Sequence, residues 1–266
     1  MAAIGRAVFG LFGHSEMGGK NFILGLTLIG MLPVPFAAQP VLAAPVQAPA
    51  KPSAAHYQLY DVMFAGFNLD QLAHNATVSV VAGIFRNDTE LAGLQKRRPQ
   101  LSLRMAAAIE PYFAVWMGRL KKQRRDEVTQ ILAKHLTAAE AMRMANFYAT
   151  PVGQKVLRAA GNHLSYDDTV DATLNPGGRS DSEALRSDAD RSVRQAMPEV
   201  MADLSNPESA QLIAMGKDPA LPKLKVAADE FMRLPDPPLE SFSTPEEVTQ
   251  LRAAIQKVIA EESTAS

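Results

Sequence analysis

Apolar side chains recur at helical spacing along most of this chain. Ile109, Phe113, Trp116 and Leu120 step by four, three and four, which places all four on one face of a helix. Val128, Leu132 and Leu136 continue the pattern. Leu185, Ala189, Val193, Met197, Val200 and Leu204 form a further stripe, as do Leu221, Leu224, Ala228 and Phe231, and then Val248, Leu251, Ile255 and Val258. One stretch, Thr77–Phe85, has the β-branched content of a strand. Leu72, Ala76, Val80 and Ile84 nevertheless step by four through it, so helix is expected there too. The expected fold is all-α: a multi-helix bundle of two packed helical subdomains.

The N-terminus has the form of a cleaved signal peptide. Lys20 precedes an apolar run from Phe22 to Met31, and Val41-Leu42-Ala43 offers side chains that a signal peptidase accepts, so cleavage is expected after Ala43. Met17 opens the tidier signal and is a candidate start. The run is shorter than the ~20 residues that span a bilayer, and Pro33 and Pro35 interrupt it, so no transmembrane helix is expected after cleavage. The chain is therefore expected to be exported and periplasmic. It has no cysteine, which excludes disulfides, thiolate metal sites and a thiol nucleophile. Removal of residues 1–43 leaves 25 basic and 27 acidic residues, a balance that gives no global pull toward nucleic acid or anionic lipid.

Helix boundaries divide the rest. Ala44–Ala55 is a Pro/Ala spacer. Gly66 ends a first helix, and Asn68 with Gln71 has the spacing of a capping box for the second. Pro111 is expected to start or kink its helix, and Pro198 to interrupt another. Thr137 with Glu140, and Thr244-Pro245 with Glu247, have capping-box spacing. Thr150-Pro151 and Asn206-Pro207 are further cap-proline starts, Asp218-Pro219 caps another helix, and Leu234–Pro238 is a stiff break. Residues 166–186, rich in Ser, Asp, Gly and Pro, are expected to form a loop. This loop separates a helical domain, 56–165, from a C-terminal helical region, 187–266.

The most individual stretch is FYATPVGQK, Phe147–Lys155. Met142, Met144, Ala145, Phe147 and Tyr148 put a wide apolar stripe on the helix before it. Pro151 disfavours helical geometry at Thr150, which is then free to cap the next helix, a bond worth ~1 kcal/mol. Gly153 falls at the third helical position, where glycine costs ~1 kcal/mol against alanine. Close approach of an aromatic ring from the preceding helix is the expected offset. Phe147, Tyr148, Thr150, Pro151 and Gly153 thus read as a structural corner, and Val156, Leu157 and Ala160 carry the apolar face onward. The run Leu136–Ala160 resembles the bacterial family catalogued as domain of unknown function 2059. Leu136, Thr137, Glu140, Phe147, Tyr148, Thr150, Pro151, Gly153 and Lys155 carry the resemblance. It implies an exported, mostly helical protein and brings no activity or catalytic residues.

Candidate chemistry is sparse. Asp167, Asp168 and Asp171 spell DDxxD, which in diphosphate enzymes binds magnesium, but no second acidic cluster stands at helical spacing. With Asn175 the same carboxylates could form a weak calcium loop, and His163 with Tyr166 could supply an acid/base pair beside it. His56, His74, His135 and His163 have no zinc-ligand spacing, and His135 reads as a partly buried core histidine. No nucleophilic-serine signature occurs. No catalytic residue and no cofactor is assigned. Lys96–Arg98 and Arg119–Arg125 are basic clusters; Arg119, Lys121, Lys122, Arg124 and Arg125 are candidates for contact with an anionic surface. The function expected is a non-catalytic binding or adaptor module of the cell envelope, with an envelope protein or a lipid surface as partner. The rival is a periplasmic hydrolase or metal-dependent enzyme using the Asp167–Asp171 loop with His163.

Overall fold

The computed structural model describes residues 51–174, 181–235 and 237–264. The expected signal peptide, its expected cleavage site and most of the expected spacer lie outside these residues. Every regular element described is helical, including the segment Thr77–Phe85, which continues α2. The helices are α1 (Ala54–Gly66), α2 (Leu69–Asn87), α3 (Thr89–Arg97), α4 (Leu101–His135), α5 (Ala138–Tyr148) and α6 (Pro151–Asn162). They continue with α7 (Asp167–Leu174), α8 (Asp181–Ala202), α9 (Asn206–Gly216), α10 (Ala220–Phe231) and α11 (Pro245–Thr264). The all-α bundle is as expected.

Capping chemistry explains most boundaries. The Asn68 side chain accepts from the Asp70 and Gln71 N–H groups; Gln71 turns to Asn75, so the reciprocal half of a capping box is missing. Thr137 and Glu140 cap α5 reciprocally, and Thr244 and Glu247 do the same for α11. The expected Asn206 cap is displaced by one residue: Ser205 caps α9 and exchanges bonds with Glu208, leaving Asn206 as the first helical residue. Asp218 Oδ1 accepts from the Ala220 N–H at the start of α10. The spacer gives way to helix at Ala54, where Ser53 and His56 bond each other. The buried His56 then reaches Leu136 O through Nε2 at 2.9 Å, tying the start of α1 to the turn after α4.

Pro111 does not start its helix and Pro198 does not interrupt its own. Pro111 lies inside α4 and Pro198 inside α8. Each proline removes a bond to the carbonyl four residues earlier. Pro111 and Ala107 are exposed, as are Pro198 and Arg194, so water can serve the freed carbonyls and the helices continue. The expected loop 166–186 is also corrected. It is helical over Asp167–Leu174 and again from Asp181. Thr169 and Val170 are buried there, and a Cβ added to Gly83 would stand 2.4 Å from Val170 Cγ1, so α7 lies directly on the α2 backbone. The core is not divided at this segment: one contiguous apolar cluster runs from Ala55 in α1 to Ile259 in α11.

Helix α4 is the spine of that cluster. Helices α1, α2, α3, α10 and α11 all pack on it. Its expected stripe, Ile109, Phe113, Trp116 and Leu120, is buried throughout. The chain after α10 folds back along it as a clasp. Arg124 donates to Pro235 O at 2.5 Å, Arg119 to Phe242 O at 3.1 Å, and Phe242 packs edge-on against Trp116. Farther along, Glu247 receives both Arg119 and the Trp116 Nε1–H, and Arg104 bonds Glu261 and Glu262. The spacing from Arg104 to Arg119 equals that from Glu247 to Glu262, so two antiparallel helices meet both clamps in register.

Between the clamps, Leu251, Ile255, Val258 and Ile259 are buried on the cluster. Removing one of them opens a cavity, whereas exposed ion pairs contribute little to global stability. Ile255→Ala is therefore expected to lower unfolding free energy by about 2–4 kcal/mol in urea titration. Glu261→Gln, which loosens only the exposed arm of the Arg104 clamp, is expected to leave the urea midpoint close to wild type while speeding amide exchange in the last turns of α11. Equal effects of the two variants on the midpoint would refute this division of labour.

Candidate functional site

The corner between α5 and α6 is built from its own residues. Helix α5 ends with carbonyls that have no helical partner. Phe147 O accepts from the Thr150 N–H at 2.9 Å and from the Thr150 hydroxyl at 2.6 Å, and Tyr148 O accepts from the Gln154 amide at 2.6 Å. Thr150 Oγ1 in turn accepts from the Gly153 N–H at 3.2 Å, capping α6 with Pro151 in its first turn. A Cβ at Gly153 would meet Phe147 O at 2.3 Å and Tyr148 Cα at 2.6 Å. The glycine is needed for close approach, but to the backbone of α5 rather than to an aromatic ring. Phe147 and Tyr148 are buried edge to face beside it. Burial pushes the Tyr148 phenol far above its ordinary value, so it stays neutral. Met142, expected on the apolar stripe of α5, is instead exposed.

The acidic motif lies on a helix and is held by arginines. Arg86 of α2 pairs with Asp171 at 2.8 Å and stands 4.0 Å from Asp167. Arg191 of α8 pairs with Asp168 at 2.6 Å. His163 lies elsewhere, against Glu199 at 2.7 Å. Tyr166 is buried, and burial, then the Asp188 charge, raise its pKa well beyond the ordinary tyrosine value. Among the described residues no three His, Asp or Glu side chains gather as metal ligands. Asn175 lies outside the described residues.

The acid that organises this region is one the motif search missed. Asp188 is fully buried and accepts from the Asp168 and Thr169 N–H groups and the Thr169 hydroxyl, capping α7 from a neighbouring helix. Burial raises its pKa above the ordinary aspartate value, against those hydrogen bonds. No local signal marks it, because the first-turn N–H it accepts from, that of Asp168, lies 20 residues earlier in the chain.

The Arg119–Arg125 cluster is largely turned to internal partners. Arg119 pairs with Glu247, Arg124 with Glu127 and Arg125 with Asp61. Lys121 Nζ stands 5.7 Å from the Phe64 ring centroid. Lys122 is exposed. The expected anionic-surface contact thus has its arginines engaged in holding α1 and the C-terminal clasp to α4. No helix of the described residues is long and apolar enough to cross a membrane.

Residues 124–163 contain the corner and both helices that form it. This segment matches the family described as "Uncharacterized protein conserved in bacteria (DUF2059)". The resemblance carried by Leu136–Ala160 lies within it. No curated protein and no solved structure matches the chain. The DUF2059 segment is buttressed by residues outside the match. Lys134 and His135 pair with Glu230, Glu140 with Lys223, and Arg143 with Asp218. Lys155 bonds Asp203 O and the Glu208 carboxylate. Its family-motif lysine therefore stabilises the start of α9.

Two outcomes test this account. Gly153→Ala is expected to cost about 2–3 kcal/mol, because backbone must move to admit the methyl, which is roughly 5–10 °C in melting temperature. An unchanged melting temperature would remove the close-approach explanation. The second outcome concerns Glu208, whose carboxyl is lowered from 4.5 to about 2 by the Ser205 N–H and hydroxyl and then by Lys155. Since folding lowers this value, the stabilisation is complete above the unfolded value and is lost as pH falls through about 2. Carboxyl NMR should give a Glu208 midpoint near 2, moving upward in Lys155→Met. A wild-type midpoint at the ordinary glutamate value would show that this cap does not hold in solution.

Proposed function

We propose that the protein is a non-catalytic helical binding module of the bacterial cell envelope. The observation that carries this reading is a ridge on α4. Leu103, Ala107, Pro111 and Val115 follow one another at four-residue steps and are all exposed, Leu103 by 63% and Val115 by 47%. Single exposed apolar residues are ordinary, but a continuous row on one helix is the form of a contact surface. The signal-like N-terminus supports the envelope as its location. The engagement of Asp167, Asp168 and Asp171 by arginines, away from His163, supports a structural role for the residues that the enzyme reading would use.

A photo-activatable side chain at Ala107 is expected to give a discrete adduct in intact cells. The same group at Gln130, exposed farther along α4, is expected to give none. Leu103→Glu with Val115→Glu should abolish the adduct while melting as wild type. Absence of any adduct from Ala107 would count decisively against the ridge as a binding surface.

A further inference from the structure

The two basic clusters differ in what faces them. The Arg119–Arg125 arginines pair with acids of the same molecule. Lys96, Arg97 and Arg98 form no ion pair among the described residues; Lys96 and Arg97 are exposed and Arg98 is half-buried. Between Glu90 and Glu110 the chain has no acidic residue, and the one other cation there, Arg104, is taken by Glu261 and Glu262. The corner between α3 and α4 is therefore a local excess of positive charge on a chain that is otherwise near neutrality.

This corner is rigid and adjoins the apolar ridge. The Gln95 amide donates to Pro99 O at 3.0 Å and to Ser102 Oγ at 3.1 Å, and Gln95 Oε1 accepts from the Ser102 N–H at 2.8 Å. Lys96, Arg97 and Arg98 lie within the span of this bracket, and Leu103 stands one residue beyond its end. Leu103, the first residue of the ridge, is also the most exposed of the large apolar side chains among the described residues. Unpaired cations beside an exposed apolar row suit an interface where negative headgroups meet hydrocarbon. An acidic protein groove would complement the cations but offers no reason for the adjoining apolar row to remain bare.

We infer that the α3–α4 corner, Lys96, Arg97 and Arg98 with Leu103, docks the protein on an anionic phospholipid surface. This rests on the binding-module reading and names its partner. The cations supply long-range, salt-sensitive attraction, and Leu103 with the ridge supplies contact at the headgroup boundary.

The test is co-sedimentation of the full chain with vesicles of phosphatidylcholine alone or with phosphatidylglycerol added to about one third, a content that gives a surface potential of the kind cationic segments sense. Binding is expected only with phosphatidylglycerol and is expected to disappear in high salt. Each cation at such a surface adds roughly fivefold to partitioning, so Lys96→Gln, Arg97→Gln and Arg98→Gln together should weaken binding about a hundredfold. Arg194→Gln, Lys217→Gln and Lys225→Gln remove the same charge from other exposed positions and should weaken it far less. Both variants and the wild type share residues 1–50, so any contribution of the Phe22–Met31 run cancels in the comparison. Equal loss in the two triple variants, or no preference for phosphatidylglycerol, overturns the assignment. If Ala107 yields a protein adduct in cells while anionic vesicles are not bound, the lipid surface is the wrong partner and the binding-module reading stands. If neither occurs, both fall.

Discussion

Helix α4, 35 residues long, owes its place in the fold mainly to the packing of its apolar face. It imposes that packing on the rest of the chain. Helices α1 and α2 cover it from the N-terminal side, α10 and α11 from the C-terminal side, and Trp116 lies where the clasp closes. Tyr60 illustrates how tightly the cover fits: its hydroxyl donates to Lys121 O at 2.5 Å, a polar bond across an otherwise apolar contact. The burial of Tyr60 raises its phenol pKa far above the ordinary value, so this donor keeps its proton. The α5–α6 corner then turns the chain back sharply enough for α6 to reach α8.

Charge has a consistent use across the fold. Arginines and lysines of the DUF2059 segment and of α4 reach acids that lie far away in sequence, and the partners are mostly half-exposed. Such pairs add modest stability, because solvent screens them. Their value is geometric: they select one register for helices whose apolar faces alone would tolerate several. The same economy explains why an acidic motif with a suggestive spelling is structural here. Asp168 and Asp171 select the position of α7 between α2 and α8.

Much of this was legible in the chain. The step pattern of Ile109, Phe113, Trp116 and Leu120 identified a buried helix face, and Thr137–Glu140, Thr150–Pro151 and Thr244–Glu247 marked helix starts, because those signals depend on neighbours within one turn. Pro111 as a helix start and Pro198 as an interruption misled because their effect depends on whether water reaches the freed carbonyl, which is a tertiary property. The 166–186 segment misled because the cap of α7 comes from Asp188, and a side chain that caps from another helix leaves no local spelling. Among the candidate residues, Gly153 was readable from its cost in a helix. The identity of its neighbour was not, since an aromatic ring and a carbonyl oxygen both demand a missing Cβ. Arg119–Arg125 and Lys96–Arg98 looked alike as charge runs; only the fold separates cations that have partners from those that do not.

The clasp also orders events during synthesis. Trp116 meets Glu247 across 131 positions of sequence, and Arg104 meets Glu262 across 158. A chain that emerges N-terminus first must leave the part of α4 that α11 covers open until α11 appears. Closing such distant contacts is slow compared with forming helices. The nascent molecule is thus sticky along one side of the very helix that later organises it, and losing the turns of α11 that lie on that side would leave that stickiness permanent.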